Sequence, residues 1–388
     1  MTIFPLEKWE ERETPFYYYD MDLLRETLEE IKRCVPEENF RVHYAVKACA
    51  TEPVLRTILA SGIGADCVSG GEVKAALAHG AKGQDVMFAG VAKADWEIRI
   101  ALENDIAAIN VESIEELENV NRIALEMGKK AHVSLRINPN VDPHTHKKIT
   151  TGLSINKFGI QIPDMMAAIH KCLEYEHIEF EGLHFHIGSQ ITDFAPFRNL
   201  CMQINKLVAQ VEAEGIMVKN INVGGGLGVS YDHPNHFCVP DFEGYFRVFR
   251  RWLTLRPDQT LHFELGRAIV AQCGSLITRV LYVKKSAEKQ FVMVDAGMTD
   301  LIRPALYDAY HKIENLTAKR EGREEREMYD VVGPICESSD VFAENFTLPL
   351  TKRGDVLALR SAGAYGEIMA SQYNLRRLPG HVTSDDKI

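Results

Sequence analysis

Residues 107–138, AAINVESIEELENVNRIALEMGKKAHVSLRIN, contain one complete turn of the rhythm that decides the fold. Two short apolar runs, AAINVES (107–113) and AHVSLRIN (131–138), read as β-strands. Between them Ser113 and Glu116 form a capping box, Ile114, Leu117 and Leu125 fall near one helical face, and Gly128 sits where a C-cap belongs. Strand, helix and strand in about thirty residues is a unit that builds parallel sheet.

The same alternation extends in both directions. The other apolar runs are RVHYAVKA (41–48), GADCVS (64–69), DVMFAG (85–90), FEGLHFHIGS (180–189), NINVGGG (220–226) and LHFELGR (261–267). A helical run from Asp22 to Val35, with Leu24, Leu28 and Ile31 on one face, precedes them. Eight strands, each followed by a helix, predict a (β/α)8 TIM-type barrel over 23–270, with a doubly wound open sheet as the alternative. After about residue 268 the rhythm changes. SLITRVLYVKK, KQFVMVDAG and DVLALRSAG are β-like without regular helices between them, and so is the N-terminal TPFYYYD. The expectation is an α/β chain whose barrel is joined to a mostly-β domain, 1–22 with 271–388, discontinuous in sequence and completed by the N-terminal segment.

Composition excludes several classes. The chain has 388 residues, 46% of them hydrophobic, enough for two cores. A net charge of -11 without a basic run argues against nucleic acid or an anionic membrane as partner. No apolar run approaches a membrane span, and the polar N-terminus lacks the layout of a signal peptide. Eight scattered cysteines without a C-x-x-C pair fit a reducing cytoplasm, not a disulfide scaffold or zinc ribbon.

Barrels carry their chemistry at the C-terminal ends of the strands and often bind phosphate after strands seven and eight. The seventh strand runs into GGGLG (224–228), the eighth into ELGR (264–267). Gly224–Gly228 is not a dinucleotide fingerprint, since that register ends on Val229 and no helix follows; it reads as a phosphate loop or a tight turn. In HFHIGSQ, His184 and His186 point the same way on a strand. A metal pair lacks further ligands, core packing suits His184, and a ligand contact suits His186, with Ser189 beside an anion. Lys47 reads as a charge partner of Asp66, a snorkelling surface lysine, or an amine that forms a Schiff base with a carbonyl. Facing a phosphate cup, the last reading describes a pyridoxal phosphate pocket, and Glu264 is placed to partner the pyridine nitrogen, or else to pair with Arg267.

The motifs HYAVKA, GADCVSGGE, RINPNVDPHTHKKITTGLSINKFGI, FHIGSQ, GGGLG, ELGR, RPALYDAYH, GPICESSD and GAYG, in this order, resemble the fold-type III pyridoxal phosphate decarboxylases, the alanine-racemase-like barrel family, over nearly the whole chain. They resemble most the branch that converts meso-2,6-diaminopimelate to L-lysine and CO2, the last step of lysine biosynthesis. The resemblance implies pyridoxal 5'-phosphate as cofactor and no metal. It makes Lys47 the Schiff-base lysine, His186 the imidazole stacked on the cofactor ring and Glu264 the pyridinium partner, with Asp66 nearby. Ser189, Gly224, Gly225, Gly226 and the Gly266–Arg267 backbone form the phosphate cup, closed by Tyr365. Arg267, Arg303 and Tyr307 hold the distal carboxylate of the amino-acid substrate, which Tyr365 also contacts. Cys336 and Glu337 reach the active site of a neighbouring subunit, Cys336 as proton donor and Glu337 to the distal ammonium, which implies a homodimer with shared sites. Leu265 stands where the family more often has proline, and His144 and His146 have no assigned role. The rival readings are the same chemistry on ornithine or carboxynorspermidine, a non-catalytic binding protein of the family, and a racemase, whose ring nitrogen would face arginine rather than Glu264.

Overall fold

The structure is a computed structural model and describes residues 4–35, 37–142 and 157–386. His144 and His146 lie outside the described residues. The chain divides into two compact units, one of 28–228 and 241–266, the other of 1–27, 229–240 and 267–388.

The first of these is a closed parallel barrel. Its strands are β1 (Phe40–Ala45), β2 (Gly64–Cys67), β3 (Val86–Phe88), β4 (Ala108–Val111), β5 (Ala131–Asn138), β6 (Ile178–His184), β7 (Asn220–Asn222) and β8 (Thr260–Leu265). Each pairs in parallel with the next; β8 pairs with β1 through Glu264 opposite His43, which closes the sheet. A helix lies between each consecutive pair of strands, as the barrel topology requires. In β8 the alternation is readable side chain by side chain. Phe263 packs against Phe246 and Phe249 of the helix Phe242–Trp252, with ring centroids 4.9 and 5.1 Å apart. His262 and Glu264 therefore face the opposite way, into the barrel.

The helix between β4 and β5 spans Ile114–Met127. Ser113 caps it by accepting from the Glu116 N–H, and Gly128 ends it in the left-handed conformation at φ 62°. Two details depart from expectation. Glu116 closes the cap on the N–H of Glu112, one residue earlier than Ser113. Leu125 is 59% exposed, and the buried face is Leu117, Val120, Ile123 and Ala124. Leu24, Leu28 and Ile31 of the helix Met21–Cys34 are buried as the periodicity predicts.

Apart from β5, which spans the whole of AHVSLRIN, the strands are shorter than their apolar runs. RVHYAVKA is strand only to Ala45; Val46–Ala48 form a turn of 3-10 helix, and Lys47 stands on that turn. The sixth strand stops at His184, so His186 lies in the following loop instead of on the strand.

The second unit is mostly β. Its sheet runs Ile313–Asn315, Val356–Leu359, Gly274–Lys285, Gln290–Val294, Arg326–Val332, Val341–Pro349. The N-terminal strand Phe16–Tyr19 completes it, pairing antiparallel with Gly274–Lys285 and parallel with Gly380–Thr383. Trp9, Phe16 and Tyr18 bury against Ile277, Leu316, Val356 and Val382, so this N-terminal segment is part of the core. No helix among the described residues is long and apolar enough to cross a membrane.

Candidate active site

Lys47, Asp66, His186, the glycine turn and Glu264 all stand at the C-terminal ends of barrel strands. The Lys47 ammonium lies 3.5 Å from the Asp66 carboxylate, and its side chain keeps 37% of its surface exposed while Asp66 is fully buried. Among the described residues neither Asp66 oxygen has a hydrogen-bond partner. Burial, aided by the charge of Glu264 and opposed by Lys47, pushes Asp66 up to about 7.

Glu264 is the opposite case. Its Oε1 accepts from Asn222 Nδ2 at 2.7 Å and from Asn110 Nδ2 at 3.4 Å, and its Oε2 lies 3.0 Å from His184 Nε2. Burial works against the charge, but His184 and then Lys47 outweigh it, and the carboxyl is held well below the usual carboxylate range. The expected alternative, an ion pair of Glu264 with Arg267, is replaced by this set of barrel donors.

The glycine turn is tied to the same network. Asn222 Oδ1 accepts from the Gly224 N–H at 2.9 Å while its Nδ2 donates to Glu264, which fixes the orientation of the amide. The Gly225 N–H donates to His186 Nδ1 at 3.3 Å. An acceptor at Nδ1 makes His186 the neutral tautomer with its proton on Nε2; burial, then Arg136 and Lys47, push its pKa well below the ordinary value. A Cβ at Gly225 would lie 1.9 Å from the Glu264 carbonyl oxygen, and Gly224 and Gly226 adopt φ of 69° and 110°, so all three positions require glycine. A Cβ at Gly266 would lie 3.0 Å from Ala45 Cβ at the end of β1, and Ser189 is half-buried in the loop after β6. An amine, a neutral imidazole, an ionised carboxylate and a glycine turn on one barrel end suit a ligand that combines an aldehyde, a ring nitrogen and a phosphate; the residues present fit pyridoxal phosphate.

The β-rich unit carries a second cluster. Arg267 and Arg303 are both buried. Arg267 Nη1 donates to Tyr231 Oη at 2.6 Å, and its guanidinium lies 4.9 Å from the ring centroid of Tyr365. Tyr365 is held at φ 56°, an uncommon conformation for a bulky residue. Arg303 lies over the Tyr231 ring at 4.8 Å, its Nη1 donates to His311 Nε2 at 2.8 Å, and its Nε is buried without a hydrogen-bond partner among the described residues. Tyr307 acts on Arg267 electrostatically.

Cys336 and Glu337 are exposed. Their loop is fixed from beneath by buried Asp340, which accepts from the N–H groups of Ile335 and Met298, while the Cys336 N–H donates to Asn374. Among the described residues no hydrogen bond or ion pair joins Cys336 or Glu337 to the arginine cluster. All eight cysteines are free thiols.

Sequence reasoning missed His184, Asn222 and Asn110 as partners of Glu264, and Tyr231 and His311 as partners of the arginines. For the barrel residues a signal existed. Asn110, His184 and Asn222 are polar residues inside short, otherwise apolar strands, where burial without a partner is costly.

Residues 21–271 match the family profile of the pyridoxal-dependent decarboxylases, pyridoxal binding domain, the class that the barrel and its site define. A diaminopimelate decarboxylase of Bacteroides thetaiotaomicron is 57% identical over 387 residues, all of this chain and 99% of that one. The structure of the Helicobacter pylori diaminopimelate decarboxylase complexed with L-lysine superposes with a TM-score of 0.92 at 40% identity, covering 98% of this chain and 94% of that one. That of the M. jannaschii enzyme, also with L-lysine, gives 0.89 at 37%, covering 98% and 89%. The chain belongs to the pyridoxal-dependent decarboxylases, among the diaminopimelate decarboxylases of that family.

Proposed function

We propose that the chain decarboxylates meso-2,6-diaminopimelate to L-lysine and CO2 with the residues brought together above. Pyridoxal 5'-phosphate is the cofactor; when bound, it takes up the electron pair left as CO2 departs. Lys47 holds it, Asp66 keeps the lysine amine in place, and His186 offers the flat face of a neutral imidazole. Glu264, kept ionised by His184 and the two asparagines, holds a proton on the ring nitrogen. Ser189, the turn Gly224, Gly225 and Gly226, and the Gly266–Arg267 backbone form the cup for the phosphate, with Tyr365 as a further donor. The match of the pyridoxal binding domain to 21–271 supports residues 23–270 as the cofactor domain and 1–22 with 271–388 as the β-rich one.

The observation that carries the substrate is the buried pair Arg267 and Arg303, with Arg303 Nε unpartnered among the described residues. Two buried guanidinium groups suit a carboxylate bound through two oxygens, and a substrate with two zwitterionic ends supplies one that survives the reaction. Tyr307 completes that contact. Glu337 of a second copy meets the distal ammonium, and Cys336 of that copy delivers the proton to the carbon that lost CO2. The exposure of both residues, on a loop stiffened by Asp340, supports a homodimer with shared sites. A reducing cytoplasm suits the eight free thiols. Competition between meso-diaminopimelate and ornithine tests the substrate. Diaminopimelate is expected to be turned over at least about a hundredfold better in kcat/KM, because ornithine leaves the buried guanidinium groups uncompensated; faster turnover of ornithine would overturn the assignment.

A further inference from the structure

His311 is fully buried eight residues after Arg303, and its two ring nitrogens have partners of opposite demand. Nε2 lies 2.8 Å from Arg303 Nη1, which can only donate. Nδ1 lies 2.9 Å from the carbonyl oxygen of Arg360, which can only accept. One neutral tautomer satisfies both: the proton sits on Nδ1, and Nε2 carries the lone pair. A second proton would set a donor against a donor beside Arg303. Burial and then the Arg303 charge act in the same sense and push His311 down to about 3.

The anchor is rigid. The Arg360 N–H donates to the Lys312 carbonyl at 2.8 Å, and Ile313 pairs with Leu359 in the sheet, so His311 and its acceptor are fixed by strand pairing. The Tyr231 ring meets the imidazole edge-on at 5.2 Å and also supports the Arg303 guanidinium at 4.8 Å. With Nη1 committed to His311, the edge bearing Nε retains unused hydrogen-bonding capacity.

We propose that His311 is a positioning residue for substrate recognition: its neutral Nε2 holds Arg303 by Nη1 and so sets the Nε edge of the guanidinium to receive the substrate's distal carboxylate. This rests on Arg303 being the ligand of that carboxylate. Supporting residues of this kind decide whether a binding group is held tightly enough to discriminate, and they act through binding more than through the chemical step.

The test is steady-state CO2 release by the holoenzyme with two competing inhibitors, L-lysine, which keeps the distal carboxylate, and cadaverine, which lacks it. His311→Phe preserves the ring and removes the acceptor; His311→Asn restores an acceptor. In the Phe variant KM for meso-diaminopimelate and Ki for L-lysine are expected to rise about tenfold or more, the scale of a lost hydrogen bond to a charged group. Ki for cadaverine should stay within about twofold, and His311→Asn should recover much of the loss. If His311→Phe does not fold, the same Ki ratio on His311→Leu decides. Equal losses for lysine and cadaverine would mean general damage and overturn the proposal, as would an unchanged Ki for lysine. Arg303→Gln separates the two layers. If it weakens lysine binding while His311→Phe does not, only the role of His311 is wrong; if neither changes it, the reading of Arg303 fails first.

Discussion

His262 and Glu264 stand two residues apart on β8 and face the same interior, the first held neutral and the second ionised. Glu264 meets three side-chain donors and stays ionised. His262 meets His43 at 3.0 Å and Asn220 at 3.1 Å, and burial, then His43, push it down to about 3 from 6.5. The unfolded chain takes up this proton near the ordinary value and the folded one only near pH 3. The contribution of His262 to stability is therefore complete above its unfolded pKa and is lost as the pH falls through that window. His262→Gln removes the titration, so between about pH 7 and about pH 4 its Tm should fall less than that of wild type. Thermal melts of the two proteins at both pH values check this, and parallel losses would contradict it. At this scale the sequence spoke where a charge ended an apolar run: Lys47, Glu264 and Arg267 stood out for that reason. It marked His184, Asn222 and Asn110 as polar residues within apolar strands but not what they meet. Their partner is 80, 42 and 154 residues away in the chain, and which polar groups meet inside a barrel depends on strand register, not on local pattern.

The element that joins the groups proposed to hold the cofactor is the turn Gly224–Gly226. Asn222 bonds it to Glu264 and Gly225 bonds it to His186, so hydrogen bonds tie the turn to both residues. Gly225→Ala would place a methyl group 1.9 Å from the Glu264 carbonyl and force the turn away. The expected result is a pyridoxal phosphate affinity weakened at least about tenfold, read by titrating the apoenzyme at the visible absorption band; unchanged affinity would show that the turn does not cradle the phosphate. Helix and strand identities in the barrel followed from periodicity, as the Ser113 and Gly128 caps show. Strand ends did not. Lys47 and His186 have apolar neighbours that extend the β-like run, yet they fall in turns where the backbone leaves the sheet to present a side chain. Leu125 was misplaced because the helix buries Val120, Ile123 and Ala124, a stripe rotated from the one its leucines mark.

For the whole molecule, the β-rich unit was legible from the loss of helical rhythm after about residue 268, and the N-terminal strand joined it as its aromatic run implied. The arginine cluster was legible only through resemblance, since Tyr231, Arg267, Arg303 and His311 come from three separated segments. If each site draws Lys47 from one copy and Cys336 from the other, mixing Lys47→Ala and Cys336→Ala chains and letting them re-pair should restore about a quarter of wild-type activity, because half the dimers then hold one intact site. Two inactive variants that stay inactive after exchange would argue for sites contained in a single chain. CO2 release from meso-diaminopimelate by wild type and Lys47→Ala, with pyridoxal phosphate in excess, shows whether the amine on the turn after β1 anchors the decarboxylation. A loss of about a thousandfold or more is expected in the variant; a rate equal to wild type would contradict this role of Lys47.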